Sequence, residues 1–265
     1  MQRSALVALM VLGFGCLAAA GCAKADRGGD VDAGGGDDAP PQADAPPADA
    51  NDCVTQPCDI LTQCGCNSVQ ACDIDLSDLD GTACRAIDSE GTETSACEST
   101  TSCDRGYVCL GNDAGSSCKR YCDETADCEA PRGQCVIEIT DGTNPIPGIP
   151  TACSSNCIPS NVAAGGCPAG FKCGMFTQTF EGTDYNISDC QPAGAGGQGA
   201  SCEVANVPND ALCAPDFLCT TVDGDNFNCR RICTRPSGPE CPGSTDCLGF
   251  DPAYTLAGTE YGVCN

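Results

Sequence analysis

Hydrophobic and polar positions along this chain alternate in short bursts, not in long periods. The longest apolar run, residues 5–20, sits at the N-terminus. Downstream, Cys135-Val-Ile-Glu-Ile-Thr140 alternates as a half-buried strand does, and 217–221 and 261–264 follow the same rhythm. Helical periodicity is rare, and one short helix over 61–71 is the single helical expectation. Turn signals are dense. Cys103-Asp-Arg-Gly106-Tyr-Val-Cys109 and Cys167-Pro-Ala-Gly170-Phe-Lys-Cys173 share a Gly midway between two cysteines. That Gly supplies the positive φ of a tight turn, and the residues after it enter a short strand. The pattern predicts small disulfide-rich modules in tandem, built of short β-hairpins and loops with little helix.

The N-terminal run belongs to targeting. Arg3 precedes it and small residues close it, the layout of a secretory signal peptide. Its end, Leu17-Ala18-Ala19-Ala20-Gly21-Cys22, resembles a bacterial lipobox, in which cleavage occurs just before a diacylated cysteine. Gly21 and Cys22 match that pattern, and Ala19 departs from the usual Leu. The resemblance implies a signal peptide over 1–21 and lipid attachment at Cys22. Ala23 after the cysteine, in place of Asp, implies the outer membrane. Three alternatives compete: ordinary signal peptidase cutting after Ala18-Ala19-Ala20, an uncleaved anchor, and lipidation at Cys16. Segment 22–52 then reads as a tether. Ala, Asp, Gly and Pro fill 25 of the 30 positions after Cys22, too little apolar surface to offset the entropy of ordering. A flexible chain of that length spans about 30 Å, and the repelling acids and Pro pairs extend this one further.

Composition adds three constraints. Leu, Ile, Val and Phe number only 41 of 265 residues and the formal net charge is −25, a profile that ordinarily means disorder. The 28 cysteines reverse that expectation, because covalent crosslinks replace a core. The absence of His excludes imidazole acid–base catalysis, His-dependent nucleophiles and His-containing metal sites. The acidic excess also argues against a nucleic-acid partner, since phosphates need Lys and Arg.

Between Cys53 and Cys264 there are 26 cysteines, enough for 13 bridges with no thiol left over. No two have the two-residue spacing of zinc knuckles, iron–sulfur ligands or thioredoxin-like sites. Eight cysteines from Cys97 to Cys153 are separated by 5, 5, 8, 3, 5, 6 and 17 residues, and eight from Cys202 to Cys264 by 10, 5, 9, 3, 7, 5 and 16. The same order recurs, and the local sequences agree: Cys118-Lys119-Arg120-Tyr121-Cys122 stands against Cys229-Arg230-Arg231-Ile232-Cys233. The steps from Cys153 through Cys157, Cys167, Cys173 and Cys190 match the end of that module, with Cys153 assignable to either side. Cys53, Cys58, Cys64, Cys66, Cys72 and Cys84 do not follow it. The expected organisation is therefore a knot over 53–96, an eight-cysteine module over 97–153, a partial module over 154–190 and a second eight-cysteine module over 202–264.

The 97–135 segment resembles the N-terminal cysteine-rich domain of the Dickkopf family, and 202–247 does so with Asp216 in place of the turn glycine. Lipobox, tether and cysteine modules together are similar to bacterial cysteine-rich lipoproteins, a class without an assigned activity. The resemblance implies a disulfide-rich extracellular interaction module. The animal family's receptor antagonism is not carried over, because a bacterial export signal precedes the module.

Candidate chemistry is sparse. Asp73-Ile-Asp75-Leu-Ser-Asp78-Leu-Asp80-Gly81 invites a calcium reading, yet an EF-hand register puts Leu76 first and Ile87 last, so that motif fails. An irregular calcium loop there, or at Asp223-Gly-Asp225-Asn226, competes with a solvated acidic loop. Lys119, Arg120, Arg230 and Arg231 hold equivalent module positions in an acidic protein and are the candidates for contact with an anionic ligand or partner. Ion pairing with nearby acids is the alternative. Tyr185 and Tyr261 recur in Gly-Thr-Asp-Tyr and Gly-Thr-Glu-Tyr and read as packing residues. No catalytic constellation and no cofactor motif emerges. The sequence thus points to a non-enzymatic, lipid-anchored protein of a Gram-negative outer membrane or cell surface, displaying a stapled ectodomain for binding or structure. Its expected partners are the membrane, through the N-terminal lipid, and a surface protein or glycan. A divalent-cation-binding surface protein and a soluble secreted protein are the alternatives.

Overall fold

The computed structural model describes residues 57–265 except 78, 80, 113–114, 161–165, 223, 225, 237 and 244. The signal segment 1–21, Cys22, the tether and Cys53 lie outside the described residues, as do Asp78, Asp80, Asp223 and Asp225 of the two acidic loops.

The described chain is a series of six hairpin units, each stapled by two crossed bridges. In every unit four cysteines pair first with third and second with fourth. The pairs are Cys58–Cys72 with Cys66–Cys84, Cys97–Cys109 with Cys103–Cys118, and Cys122–Cys135 with Cys128–Cys153. Then come Cys157–Cys173 with Cys167–Cys190, Cys202–Cys219 with Cys213–Cys229, and Cys233–Cys247 with Cys241–Cys264. Cys64 is disulfide-bonded as well. Cys153 thereby falls in the third unit.

The strands explain the crossing. The hairpins are β1 (Gln70–Ile74) with β2 (Thr82–Ala86), β3 (Tyr107–Asn112) with β4 (Gly115–Cys122), β5 (Cys135–Ile137) with β6 (Thr151–Cys153), and β7 (Phe171–Phe180) with β8 (Thr183–Pro192). After a minor pair, β9 (Glu203–Val204) and β10 (Val207–Pro208), follow β11 (Phe217–Thr220) with β12 (Asn228–Thr234) and β13 (Cys247–Leu256) with β14 (Thr259–Cys264). In each hairpin the third and fourth cysteines sit directly opposite: Cys72 and Cys84, Cys109 and Cys118, Cys135 and Cys153, Cys173 and Cys190, Cys219 and Cys229, Cys247 and Cys264. Opposed residues of an antiparallel pair leave the same face of the sheet. Both sulfurs therefore emerge together and bond to the first and second cysteines in the segment before the hairpin.

The turn glycines behave as the sequence predicts: Gly106 and Gly170 have φ of 76° and 84°, and Asp216 takes the same conformation at 70°. The helix expected over 61–71 is absent. The Asp59 carboxylate accepts from the backbone N–H and the hydroxyl of Thr62, making a turn. Gln63 has φ 58°, and its side-chain amide bonds to both the N–H and the carbonyl of Cys72. A side chain occupied with a strand's backbone groups holds the segment against β1 and interrupts helical dihedrals.

The two eight-cysteine segments form four-stranded sheets of identical order, β3-β4-β6-β5 and β11-β12-β14-β13, while β1-β2 and β7-β8 remain two-stranded. The repeat is larger than the eight-cysteine module. Gly91 and Gly196, each six residues before the first cysteine of the next unit, bridge Cys103 and Cys213 respectively in parallel. Their carbonyls accept from Asp104 and Ala214 at 2.8 Å. A single-hairpin unit, a linker glycine and a four-stranded sheet thus occur twice, as 58–153 and 157–264. A Cβ on Gly91 would press on the Ser102 carbonyl and lie 3.1 Å from the Cys118 sulfur. One on Gly196 would lie 2.9 Å from both the Leu212 carbonyl and the Cys229 sulfur. Gly91→Ala and Gly196→Ala should each cost about 1–3 kcal/mol by overpacking, read as a lowered denaturation midpoint of the oxidised protein. An unchanged midpoint for both would contradict this docking.

Sulfur fills four of the six units, and hydrocarbon fills the joints. Four of the buried clusters consist of cysteines, for example Cys122, Cys128, Cys135 and Cys153. The other two gather aliphatic and aromatic side chains from several units: Ile60, Ile74, Val108, Tyr121, Ile137 and Ile187 in one, Ile232, Tyr254, Leu256 and Tyr261 in the other. Tyr261 is thus a packing residue, and Tyr185 packs against the first cluster.

Buried cations pin the same joints. Asp73 is held by Arg85 at 2.5 Å and by the Tyr121 hydroxyl of the next unit. Arg85 also donates to the Tyr107 carbonyl at 2.9 Å. Lys172 donates to the corresponding carbonyl, Phe217, at 2.7 Å and pairs with Asp210 at 2.8 Å. Arg85 stands opposite Ala71 and Lys172 opposite Gln191. Both rungs adjoin the paired cysteines, so the cation has changed strands while keeping its rung and its target. Burial pulls the Lys172 ammonium below the usual lysine range, and Asp210 partly offsets that.

Candidate functional site: a cleft around Arg120

The four basic residues singled out by the sequence part company. Lys119 is buried: it pairs with Asp189 of β8 and donates to Ser155 Oγ at 2.7 Å. An ammonium held this way joins two units and faces no solvent. Arg230, its counterpart, is half-buried, and its Nε has no hydrogen-bond partner among the described residues. Arg231 lies 5.6 Å over the Phe217 ring, 3.9 Å from the Asp216 carboxylate and 3.3 Å from the Glu240 carbonyl. The Arg120 side chain is exposed and makes no hydrogen bond or ion pair among the described residues.

Arg120 and Arg231 occupy the same place in the fold. Register sets Arg120 opposite Tyr107 and Arg231 opposite Phe217. Two residues before each cation lies the fourth cysteine of its unit, and just before each aromatic residue lies the positive-φ turn position. That position is Asp216 in the second copy and Gly106 in the first. The left-handed conformation favours Gly, and Asp is among the few other residues that tolerate it. Asp216 brings a carboxylate to Arg231, whereas Gly106 leaves that space open. A Cβ on Gly106 would meet nothing within 4 Å.

The open space belongs to a cleft of about 620 Å³ between the first unit and the second and third. Ile60, Leu61 and Gln63 form one side, and Arg105, Tyr107 and Arg120 line it from the β3–β4 hairpin. Asp123, Glu124 and Asp127 complete the lining. Arg105, which the sequence reading passed over, bonds the Asn67 carbonyl and so ties the hairpin to the first unit. The Asp127 carboxylate accepts from the backbone N–H groups of Asp123 and Glu124, which holds its pKa below the usual range. Leu61 is 45% exposed and supplies an apolar rim. Nearby, burial raises the Glu93 carboxyl, Glu129 adds to the rise, and Lys119 and Arg120 oppose it. No sequence signal separated Arg120 from Lys119, since the adjacent residues differ only in which face of β4 they leave.

Among the described residues, the sulfur clusters offer no free thiolate for a metal. Three cysteine sulfurs of one unit lie within 4.8 Å of one another, as in Cys97, Cys103 and Cys109, because the two bridges run side by side. Sulfur in a bridge provides no thiolate for zinc or iron. In the first acidic loop the Asp75 carboxylate accepts from the N–H and hydroxyl of Ser77, which lowers its pKa and occupies it in its own turn.

No family model, no curated protein and no solved structure matches this chain. The fold itself is that of a cysteine-rich protein of small antiparallel hairpins, six of them held by two disulfides each.

Proposed function

We propose that the chain is a lipid-anchored protein of a Gram-negative outer membrane or cell surface, displaying residues 57–265 as a stapled ectodomain whose role is binding. The observation that carries this reading is the repeated pair of crossed bridges, which calls for an oxidising compartment. The apolar run before Gly21-Cys22 supplies the export route and a cysteine for acylation. More than one acyl chain gives stable anchoring. The Dickkopf-like spacing of 97–135 agrees with an interaction module outside the cytoplasm. Crosslinked hairpins with ion-paired joints suit a surface exposed to proteases, since few segments can open locally.

Metabolic labelling with palmitate tests the anchor. The expected result is a labelled, membrane-associated protein, and a Cys22→Ser variant that is unlabelled. An unlabelled wild-type protein recovered from the medium would remove the anchor and leave the soluble secreted form.

A further inference from the structure

The two copies of the module pose and answer a question about Arg120. In the second copy the equivalent Arg231 has its anionic partner built in, the Asp216 carboxylate at 3.9 Å. It also has an aromatic face beneath it and a backbone carbonyl beside it. In the first copy the aromatic residue remains, as Tyr107, but Gly106 stands where the carboxylate would originate. The guanidinium is retained, exposed, and turned into a cleft of about 620 Å³. We infer that this cleft binds a ligand carboxylate at Arg120, in the place that Asp216 fills internally in the second copy.

The lining narrows the ligand. Asp123, Glu124 and Asp127 repel a polyanion such as an acidic polysaccharide or a nucleic acid, and they favour a cationic group on the same molecule. Leu61 and Tyr107 accept a short apolar portion. The chemistry that fits is a zwitterion with a free carboxylate, a nearby ammonium and a small side chain: an amino acid, or the end of a short peptide. This inference rests on the reading of the ectodomain as a binding surface. It does not depend on the lipid anchor.

The test uses purified, oxidised full-length protein and amide chemical-shift titrations with tetra-alanine, its C-terminal amide, its N-acetyl form, and alanine. Tetra-alanine is expected to give saturable shifts centred on Tyr107 and Arg120. Amidation should weaken binding at least 10-fold and N-acetylation several-fold. Comparable binding of alanine identifies a free amino acid as the ligand type, and binding by the peptide alone identifies a chain end. Arg120→Gln should weaken binding at least 10-fold. So should Gly106→Asp, which rebuilds the Asp216 arrangement and fills the space from within.

The circular dichroism of both variants should match the parent, because Arg120 is exposed, a Cβ on Gly106 meets nothing within 4 Å, and Asp adopts the same left-handed φ at Asp216. The inference is overturned if no probe gives saturable shifts, if the amide binds as tightly as the acid, or if both variants bind like the parent. Equal binding of the N-acetyl form overturns the zwitterionic assignment. None of these outcomes alters palmitate labelling at Cys22, so failure here and failure of the anchor are separable.

Discussion

Full reduction will unfold residues 57–265, with loss of strand circular dichroism and of amide shift dispersion, at temperatures where the oxidised protein is unchanged. Only 41 Leu, Ile, Val and Phe residues serve the whole chain, and within the units the buried clusters are the cysteines themselves. A bridge closing about 15 residues contributes about 3 kcal/mol by restricting the unfolded chain, and the described bridges span separations of 12 to 25 residues. Two bridges per unit do not simply add, but together they exceed what so few aliphatic contacts supply. Reduced and alkylated protein that keeps its amide dispersion would show that the joints alone specify the fold.

Lys119→Met will cost about 3–5 kcal/mol, the second large effect, because it leaves the Asp189 carboxylate charged and buried without its cation. The side chains of the pair are 3% and 7% exposed, so water cannot take over. Ser155, which also donates to Asp189 at 2.7 Å, softens the loss without cancelling the charge. The double change Lys119→Met with Asp189→Leu should recover most of the stability, since a buried ion pair is often no better than hydrocarbon of the same size. Denaturant midpoints of the three oxidised proteins decide it. A single variant within about 0.5 kcal/mol of the parent, the range of ordinary surface substitutions, would mean that the joint is wet.

The hairpins were legible because cysteine spacing, turn glycines and two-residue alternation all act within a few positions of one another. The duplication over 97–153 and 202–264 was legible for the same reason. The resemblance of the first unit to the fourth was not. Cys64 interrupts its spacing, and only the pairing of Cys58, Cys66, Cys72 and Cys84 exposes it. The helix expected over 61–71 failed on Gln63, whose amide serves the strand at Cys72. The candidate site was half legible. A basic pair at equivalent positions was visible, but Lys119 and Arg120 leave opposite faces of β4, one into a joint and one into a cleft. The partner that settles Lys119, Asp189, is 70 residues away.

The skipped pairing has a cost during biogenesis. In N- to C-terminal order, the first two cysteines of a unit precede the third. An oxidase acting on whatever thiols are present will join neighbours, yet in every unit the native partners are alternate cysteines. Each unit must then exchange its early bonds, through attack of a later thiolate on an earlier bridge. A chain oxidised in that order reaches the native pairing only where thiol–disulfide exchange can reshuffle the early bridges, and without exchange it accumulates fully oxidised but mispaired forms.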